Sequence, residues 1–396
     1  MSVATMTNER RVAGEPKPFR FDLPLIIVTL LLLGFGIVFV TSASIALAEK
    51  DLGNPFYYGE RQVIYAAMGL AAALVMMALP LNLWRKLSPA LLLAGFALLT
   101  LVLVPGFGRE VNGAVRWLTI GPVRLIQASE PARLCFFIFI ADYIARRNTE
   151  LSTTFTGFAK PMGLMALAGI LLLAEPDFGA ATVLIATVLG MLFIGGARLR
   201  DFLALVVAAF AALAALAVSS PYRLERLTTF LDPWSDPFNS GFQLTQSLIA
   251  IGRGEWFGVG LGSGVQKLFY LPEAHTDFVF AVIAEELGLF GVVLLLGLYI
   301  IFFMRCFAIA RMAARAEQHF GAYLAFGIGI WIGMQAMINL GVNMGVLPTK
   351  GLTLPLVSSG GSSLLIVSAA IGLLLRIGFE ANQSSTAIWR RKETAA

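Results

Sequence analysis

At 396 residues the chain is long enough for two or three soluble domains, but 58% apolar residues, 13% charged residues and a mean hydropathy of +0.81 exclude that organisation. Soluble domains carry about 45–50% apolar and about 25% charged residues, so here the surface itself must be apolar and the chain must lie in lipid. The net charge of +5 is mild, and no basic cluster interleaved with aromatics points to nucleic acid.

Residues 1–22 are expected to form a polar, cytoplasmic N-terminal tail. The apolar run that follows, from Leu23 to Ala48, is too long for a cleavable leader and is expected to remain as an anchor. Runs of near-spanning length then recur at 23–44, 62–80, 87–104, 126–145, 161–174, 178–196, 202–219, 277–304, 320–341 and 357–378. The expected fold is therefore an all-α polytopic membrane protein of about ten transmembrane helices. Its integral domain covers 23–378, with a short cytoplasmic C-terminal tail over 379–396. Glu175-Pro176-Asp177 leaves room only for a tight hairpin between the fifth and sixth spans.

Placing both termini in the cytoplasm puts 18 of the 29 Lys and Arg on the inner side, in short loops, which is the favoured orientation. The outer loops then hold most of the unusual sequence. The largest, 220–276, lies between spans seven and eight, far longer than ordinary connections of about 4–6 residues. It carries a helical pattern from Phe242 to Ile251 and a glycine series, Gly252, Gly254, Gly258, Gly260, Gly262 and Gly264. That spacing is no dinucleotide fingerprint and there is no phosphate-binding P-loop; close backbone approach is the simpler expectation. Cys135 and Cys306 sit in or beside apolar runs, which argues against a disulfide framework. His275 and His319 share no ligand spacing with them, so no metal site is expected from these residues.

Three polar constellations remain. In Pro272-Glu273-Ala274-His275-Thr276-Asp277-Phe278, Asp277 stands where the long loop enters the membrane. A partly desolvated carboxylate there suits a general base, and an N-cap of the eighth span is the equal alternative. Glu285 and Glu286 follow two turns deeper, where ionisable groups are costly; a structural pair with a buried Arg is the competing explanation. In the second constellation, Asn112-Gly113-Ala114-Val115-Arg116-Trp117 precedes Gln127 to Arg133. Glu130 and Arg133 share a helix face as an ion pair, unless Arg116 and Arg133 face a cavity and hold an anionic head group. The third runs from Asn339 to Ser363. Lys350 between Pro348, Gly351 and Pro355 predicts irregular backbone at membrane depth, tolerated only where it is buried or lines a cavity. Ser358-Ser359-Gly360-Gly361 then opens the last span.

These blocks together resemble the SEDS family (shape, elongation, division and sporulation), whose members polymerise lipid II. The resemblance covers about residues 22–380, and the Pro348–Leu356 loop with the N-terminal extension is most similar to the family's division branch. Ser359 departs from a usual Tyr, Arg133 from a common Lys, and Pro131 from an apolar residue.

The resemblance implies a peptidoglycan glycosyltransferase at the division septum of the cytoplasmic membrane, with Asp277 as general base. Arg116, Trp117, Glu130, Arg133, His275, Lys350 and Ser358 are the expected substrate-binding residues, and a divalent cation, Mg2+ or Mn2+, is an optional aid to the leaving group. Expected partners are lipid II, membrane lipid, a class B penicillin-binding protein and other divisome membrane proteins. The competing readings are a lipid II flippase and a scaffold for a periplasmic transpeptidase. Clustering of polar groups at the outer face favours chemistry over a transport path.

Overall fold

The computed structural model describes residues 21–111, 114–120, 123–218, 230, 232–239, 241–348 and 351–394. The chain begins with α1 (Leu23–Leu52), α2 (Tyr57–Ala78) and α3 (Leu81–Leu103), followed by strands β1 (Gly108–Val111), β2 (Ala114–Ile120) and β3 (Val123–Gln127). Then come α4 (Ser129–Thr153), α5 (Phe155–Ala174), α6 (Phe178–Ile194) and α7 (Leu199–Val218). A short α8 (Phe242–Gly254) precedes α9 (Val279–Arg315), α10 (His319–Asn343) and α11 (Gly361–Thr394).

Seven of these helices, α1, α2, α3, α5, α9, α10 and the Gly361–Ser384 part of α11, are long and apolar enough to cross a membrane. Helices α4, α6 and α7 occupy the other three positions expected from the sequence. Helix α6 has only 17 residues. Helix α4 carries charges that it neutralises locally: Asp142 is buried and pairs with Arg146 at 2.7 Å, Arg85 at 3.3 Å and the Ser88 hydroxyl.

Helix α10 sits in the middle of the bundle, against α4, α6, α8, α9 and α11, while α11 packs along α2. One continuous apolar core, including Phe137, Phe280, Phe302 and Trp331, joins these helices. By contrast, Leu30, Leu74, Leu93, Ile170, Val207 and Ile300 point outward, as helices solvated by lipid require.

The expectation of an all-α chain needs correction. The three strands form an antiparallel sheet in the order β1-β2-β3, with Arg109 opposite Trp117 and Trp117 opposite Gln127. Leu118 turns inward to meet Val102 and Ala128, so the sheet caps α3 and α4. The fourth helix consequently starts at Ser129, after β3, and not at 126. The final helix continues past 378 to Thr394.

At the end of the bundle opposite the sheet, basic side chains pair with acids: Arg305 with Asp22, Arg198 with Asp201 and Arg376 with Glu380. The sheet-bearing end holds the long loop and the candidate site.

Candidate active site

The site is built on an interrupted helix. Helix α9 breaks at Gly288 (φ 63°, ψ −160°), so Val279–Leu287 forms a separate half-helix whose residues 279–286 are all buried. A break inside the bundle frees backbone groups that must find partners. The glycine-rich segment supplies them. Val259 N donates to Glu285 O at 3.0 Å and Gly260 N to Glu286 O at 3.1 Å, while Leu289 N and Phe290 N donate to the carbonyls of Glu255 and Trp256 at 2.9 and 3.1 Å. A Cβ on Gly258 would collide with the Glu286 carbonyl, and its φ of 77° is itself unfavourable for other residues. Gly254 and Gly258 thus serve close backbone approach, as the spacing suggested.

Glu285 and Glu286 anchor the same segment. Glu285 accepts from Val265 N at 2.9 Å, Gln266 N at 3.2 Å and Arg253 at 3.3 Å. Glu286 pairs with buried Lys267 at 2.5 Å and accepts from Ser42 of α1 at 2.8 Å. Both acids thus have structural partners, with a lysine standing where a buried arginine was one expectation.

The half-helix presents Asp277 at its start, and a stripe of carboxamides on α10 holds it there. Gln335, Asn339 and Asn343 follow one another at one-turn spacing on a buried face. Asn339 Nδ2 donates to Asp277 O at 2.8 Å and to Leu352 O at 2.6 Å. Asn343 Nδ2 donates to Asp277 O at 3.0 Å, and its Oδ1 accepts from Ala281 N at 3.3 Å. Gln335 Nε2 donates to Thr353 O at 3.1 Å. The stripe therefore fixes two irregular segments together, 272–278 and 351–357. The second lies deep in the bundle: Leu352, Leu354, Leu356 and Val357 are buried, and Tyr299 of α9 donates to Pro355 O at 2.6 Å. Irregular backbone at membrane depth is thus present, and it is enclosed by protein.

Asp277 does not cap α9. Its neighbour Phe278 holds the cap position and no side chain caps the helix. The Asp277 carboxylate accepts no hydrogen bond from the described residues. Burial pushes its pKa up to about 7, Glu273 adds to the rise, and Arg116 opposes it. Gly351 closes over it; a Cβ there would lie 3.0 Å from Asp277 Oδ2.

Arg116 reaches the same region from β2. Its Nε donates to Glu175 O at 3.3 Å and its Nη2 to Pro176 O at 2.5 Å, in the turn between α5 and α6. Trp117, adjacent on the strand, points to the opposite face of the sheet, so the two residues do not act side by side. His275 is buried, its ring 4.7 Å from that of Tyr58, and its carbonyl accepts from Ser359 N at 2.9 Å. Burial lowers the His275 pKa, which favours the neutral ring. Ser358 accepts from Leu354 N at 2.8 Å and is engaged within its own loop. Lys350 lies outside the described residues.

Glu130 and Arg133 take the ion-pair arrangement, and Arg133 does not face an open cavity. Arg133 is 1% exposed. It bonds Glu130, approaches Gln335 Oε1 at 3.4 Å and lies 5.5 Å from the Trp331 ring. Its charge is spent inside the bundle, so it acts on the 351–357 loop through Gln335.

Several residues of the site were not singled out from the sequence. The Gln335–Asn339–Asn343 stripe was readable as three carboxamides four residues apart in an apolar helix. Asp177 caps α6 through Ala180 N at 3.0 Å and accepts from Gln127 and Ser129 at 3.3 Å each, joining sheet to bundle. Glu175 in the same hairpin is wholly buried. Among the described residues no three His, Cys, Asp or Glu side chains converge as a metal site. The described residues therefore form no resident divalent-cation site.

Residues 23–383 match the sequence profile of a family described as cell cycle proteins, FtsW/RodA/SpoVE. A relative from Nitrosococcus halophilus named "Probable peptidoglycan glycosyltransferase FtsW" is 56% identical over 380 residues, 96% of this chain and 97% of the relative. Among solved structures, a chain described under "Structural coordination of polymerization and crosslinking by a peptidoglycan synthase complex" superposes with a TM-score of 0.73 at 32% identity. That match covers 91% of this chain and 98% of the other. The Thermus thermophilus rod shape determining protein RodA superposes with a TM-score of 0.67 at 30% identity, covering 92% and 98%. The chain belongs to the FtsW/RodA/SpoVE family of cell cycle proteins.

Proposed function

We propose that this chain is the peptidoglycan glycosyltransferase of cell division, polymerising lipid II into glycan strands at the outer face of the cytoplasmic membrane. The single observation that carries the reading is Asp277. Its carboxylate accepts no hydrogen bond from the described residues, its pKa is about 7, and its backbone is clamped by two asparagines beside an arginine. A partly buried, positioned carboxylate with a pKa near the working pH is what a general base requires.

In the proposed reaction the 4-hydroxyl of the acceptor sugar attacks the anomeric carbon of the donor. Asp277 takes the hydroxyl proton as the new C–O bond forms and the bond to the diphosphate breaks. One carboxylate suffices for such an inverting displacement. The electron pair leaves with undecaprenyl diphosphate, whose charge Arg116 offsets, and Lys350, next to Gly351, is assigned the same task. His275 and Ser358 hold the segments around the base, Glu130 and Arg133 brace the loop above it, and Trp117 supports the sheet that carries Arg116. A divalent cation, if used, is a counter-ion brought by the diphosphate oxygens.

The fold is inferred to be ten spans with both termini cytoplasmic. The arginines gathered at the end opposite the sheet support that orientation, and α4, α6 and α7 supply the spans beyond the seven apolar ones. Similarity to a component of a peptidoglycan synthase complex supports a class B penicillin-binding protein as partner, with other divisome membrane proteins and a septal location.

The test is incubation of the purified chain and its cognate transpeptidase with labelled lipid II, with glycan products resolved on a gel. Long strands are expected. Translocation of lipid II across vesicles without strand formation would support the flippase reading instead, and neither activity would leave a scaffold.

A further inference from the structure

Glu175 is an ionisable side chain for which the proposed reaction gives no role. It closes the turn between α5 and α6, is 0% exposed, and neither carboxyl oxygen has a hydrogen-bond partner. A buried carboxyl without a donor is costly as an ion and far cheaper as a neutral acid. Burial, helped by the nearby Asp177 charge, raises its pKa to about 8, against the pull of Arg116. Asp177 and Arg116 are the charged groups acting on it, from the start of α6 and from β2.

Its relation to Arg116 is unusual. The guanidinium is held by the carbonyls of Glu175 and Pro176 and not by the Glu175 carboxyl. The turn therefore fixes where the arginine sits without neutralising it. Arg116 also acts on Asp277, so its charge reaches the proposed reaction centre.

We propose that Glu175 is a positioning residue that sets the net charge Arg116 presents to the diphosphate of the lipid-linked donor: as the neutral acid it leaves the guanidinium charge free, and as the carboxylate it cancels it. The inference rests on the glycosyltransferase reading for the identity of the ligand. An anion bound near Arg116 favours protonated Glu175, so affinity is constant below about pH 8 and falls as the pH rises above it.

The test is binding of lipid II, whose diester diphosphate keeps a fixed charge over the range, to the full chain carrying Asp277→Asn so that no turnover occurs. Kd is measured from pH 6.5 to 9.5 with and without Glu175→Gln. With Glu175 present, Kd is expected to rise on the order of tenfold across the alkaline half, the weight of one pKa unit of coupling. With glutamine, that rise disappears while affinity at pH 7 is retained. An identical alkaline rise in both proteins overturns the proposal, as does a flat profile with Glu175 in place. Should Glu175→Gln not fold, the profile of the Asp277→Asn protein alone decides: a flat one overturns the proposal and a rise centred near pH 8 supports it. Binding is read without turnover, so this pH dependence in the Asp277→Asn chain, together with no strands from the wild-type chain, would fail the glycosyltransferase reading and leave the Glu175 inference standing.

Discussion

Asn339 ties Asp277 to the loop above it: one carboxamide on α10 donates to the Asp277 carbonyl at 2.8 Å and to the Leu352 carbonyl at 2.6 Å. Two irregular segments 75 residues apart in sequence, at 277 and 352, are thereby fixed relative to each other by one side chain.

Asn339→Ala strips the Leu352 carbonyl of this donor and leaves the Asp277 carbonyl to Asn343 alone. An unsatisfied buried carbonyl costs about 1–3 kcal/mol, so a lower melting temperature in detergent is expected. Polymerisation should fall more than the stability loss explains, because the base is no longer held. Full activity in a destabilised but folded variant would show that the clamp does not position Asp277.

Gly351→Ala tests the closeness of that loop to the base. The added methyl would sit 3.0 Å from Asp277 Oδ2, displacing the carboxylate or the loop. The expected result is a drop in kcat with little change in melting temperature. An unchanged kcat would place the loop further from the reacting groups.

The pH profile follows from Asp277. A general base must be ionised, so kcat should rise with pH up to about 7 and then level off. The same group has a folded pKa above the ordinary value of 3.8. Its contribution to stability is therefore fullest below about pH 4 and is lost as the pH rises through 7. Asp277→Asn should accordingly melt no lower than the wild type at pH 8.

Lys267 and Glu286 test the account of the broken helix. Both are buried and paired at 2.5 Å. Removing one partner strands a buried charge, at a cost of about 3–5 kcal/mol, so Lys267→Met should sharply lower the melting temperature. Lys267→Met with Glu286→Gln should recover much of it. Equal melting of single and double variants would contradict a buried pair.

The membrane class, most helix positions and the three polar segments were legible because apolar runs and isolated charges are local properties. The sheet was not, since β2 is short and its alternation lies inside a loop beside Gly and Pro. Its inward residue, Leu118, has meaning only once α3 and α4 are in place. Arg133 could be read as an ion-pair partner or as a cavity residue, because a sequence cannot distinguish an arginine facing substrate from one satisfied by Glu130, Gln335 and Trp331. Asp277 could be read as base or helix cap until the half-helix placed Phe278 at the cap. The Asn339–Asn343 pair was visible as a polar stripe, but its targets, two backbone carbonyls in different loops, exist only in the folded chain.

The most direct measurement compares wild type with Asp277→Asn in lipid II polymerisation, both proteins purified with the cognate transpeptidase and shown by melting to be folded. Loss of the base should reduce strand synthesis by about 10²–10⁴-fold. Equal synthesis by the two proteins would contradict the assignment of Asp277 as the base.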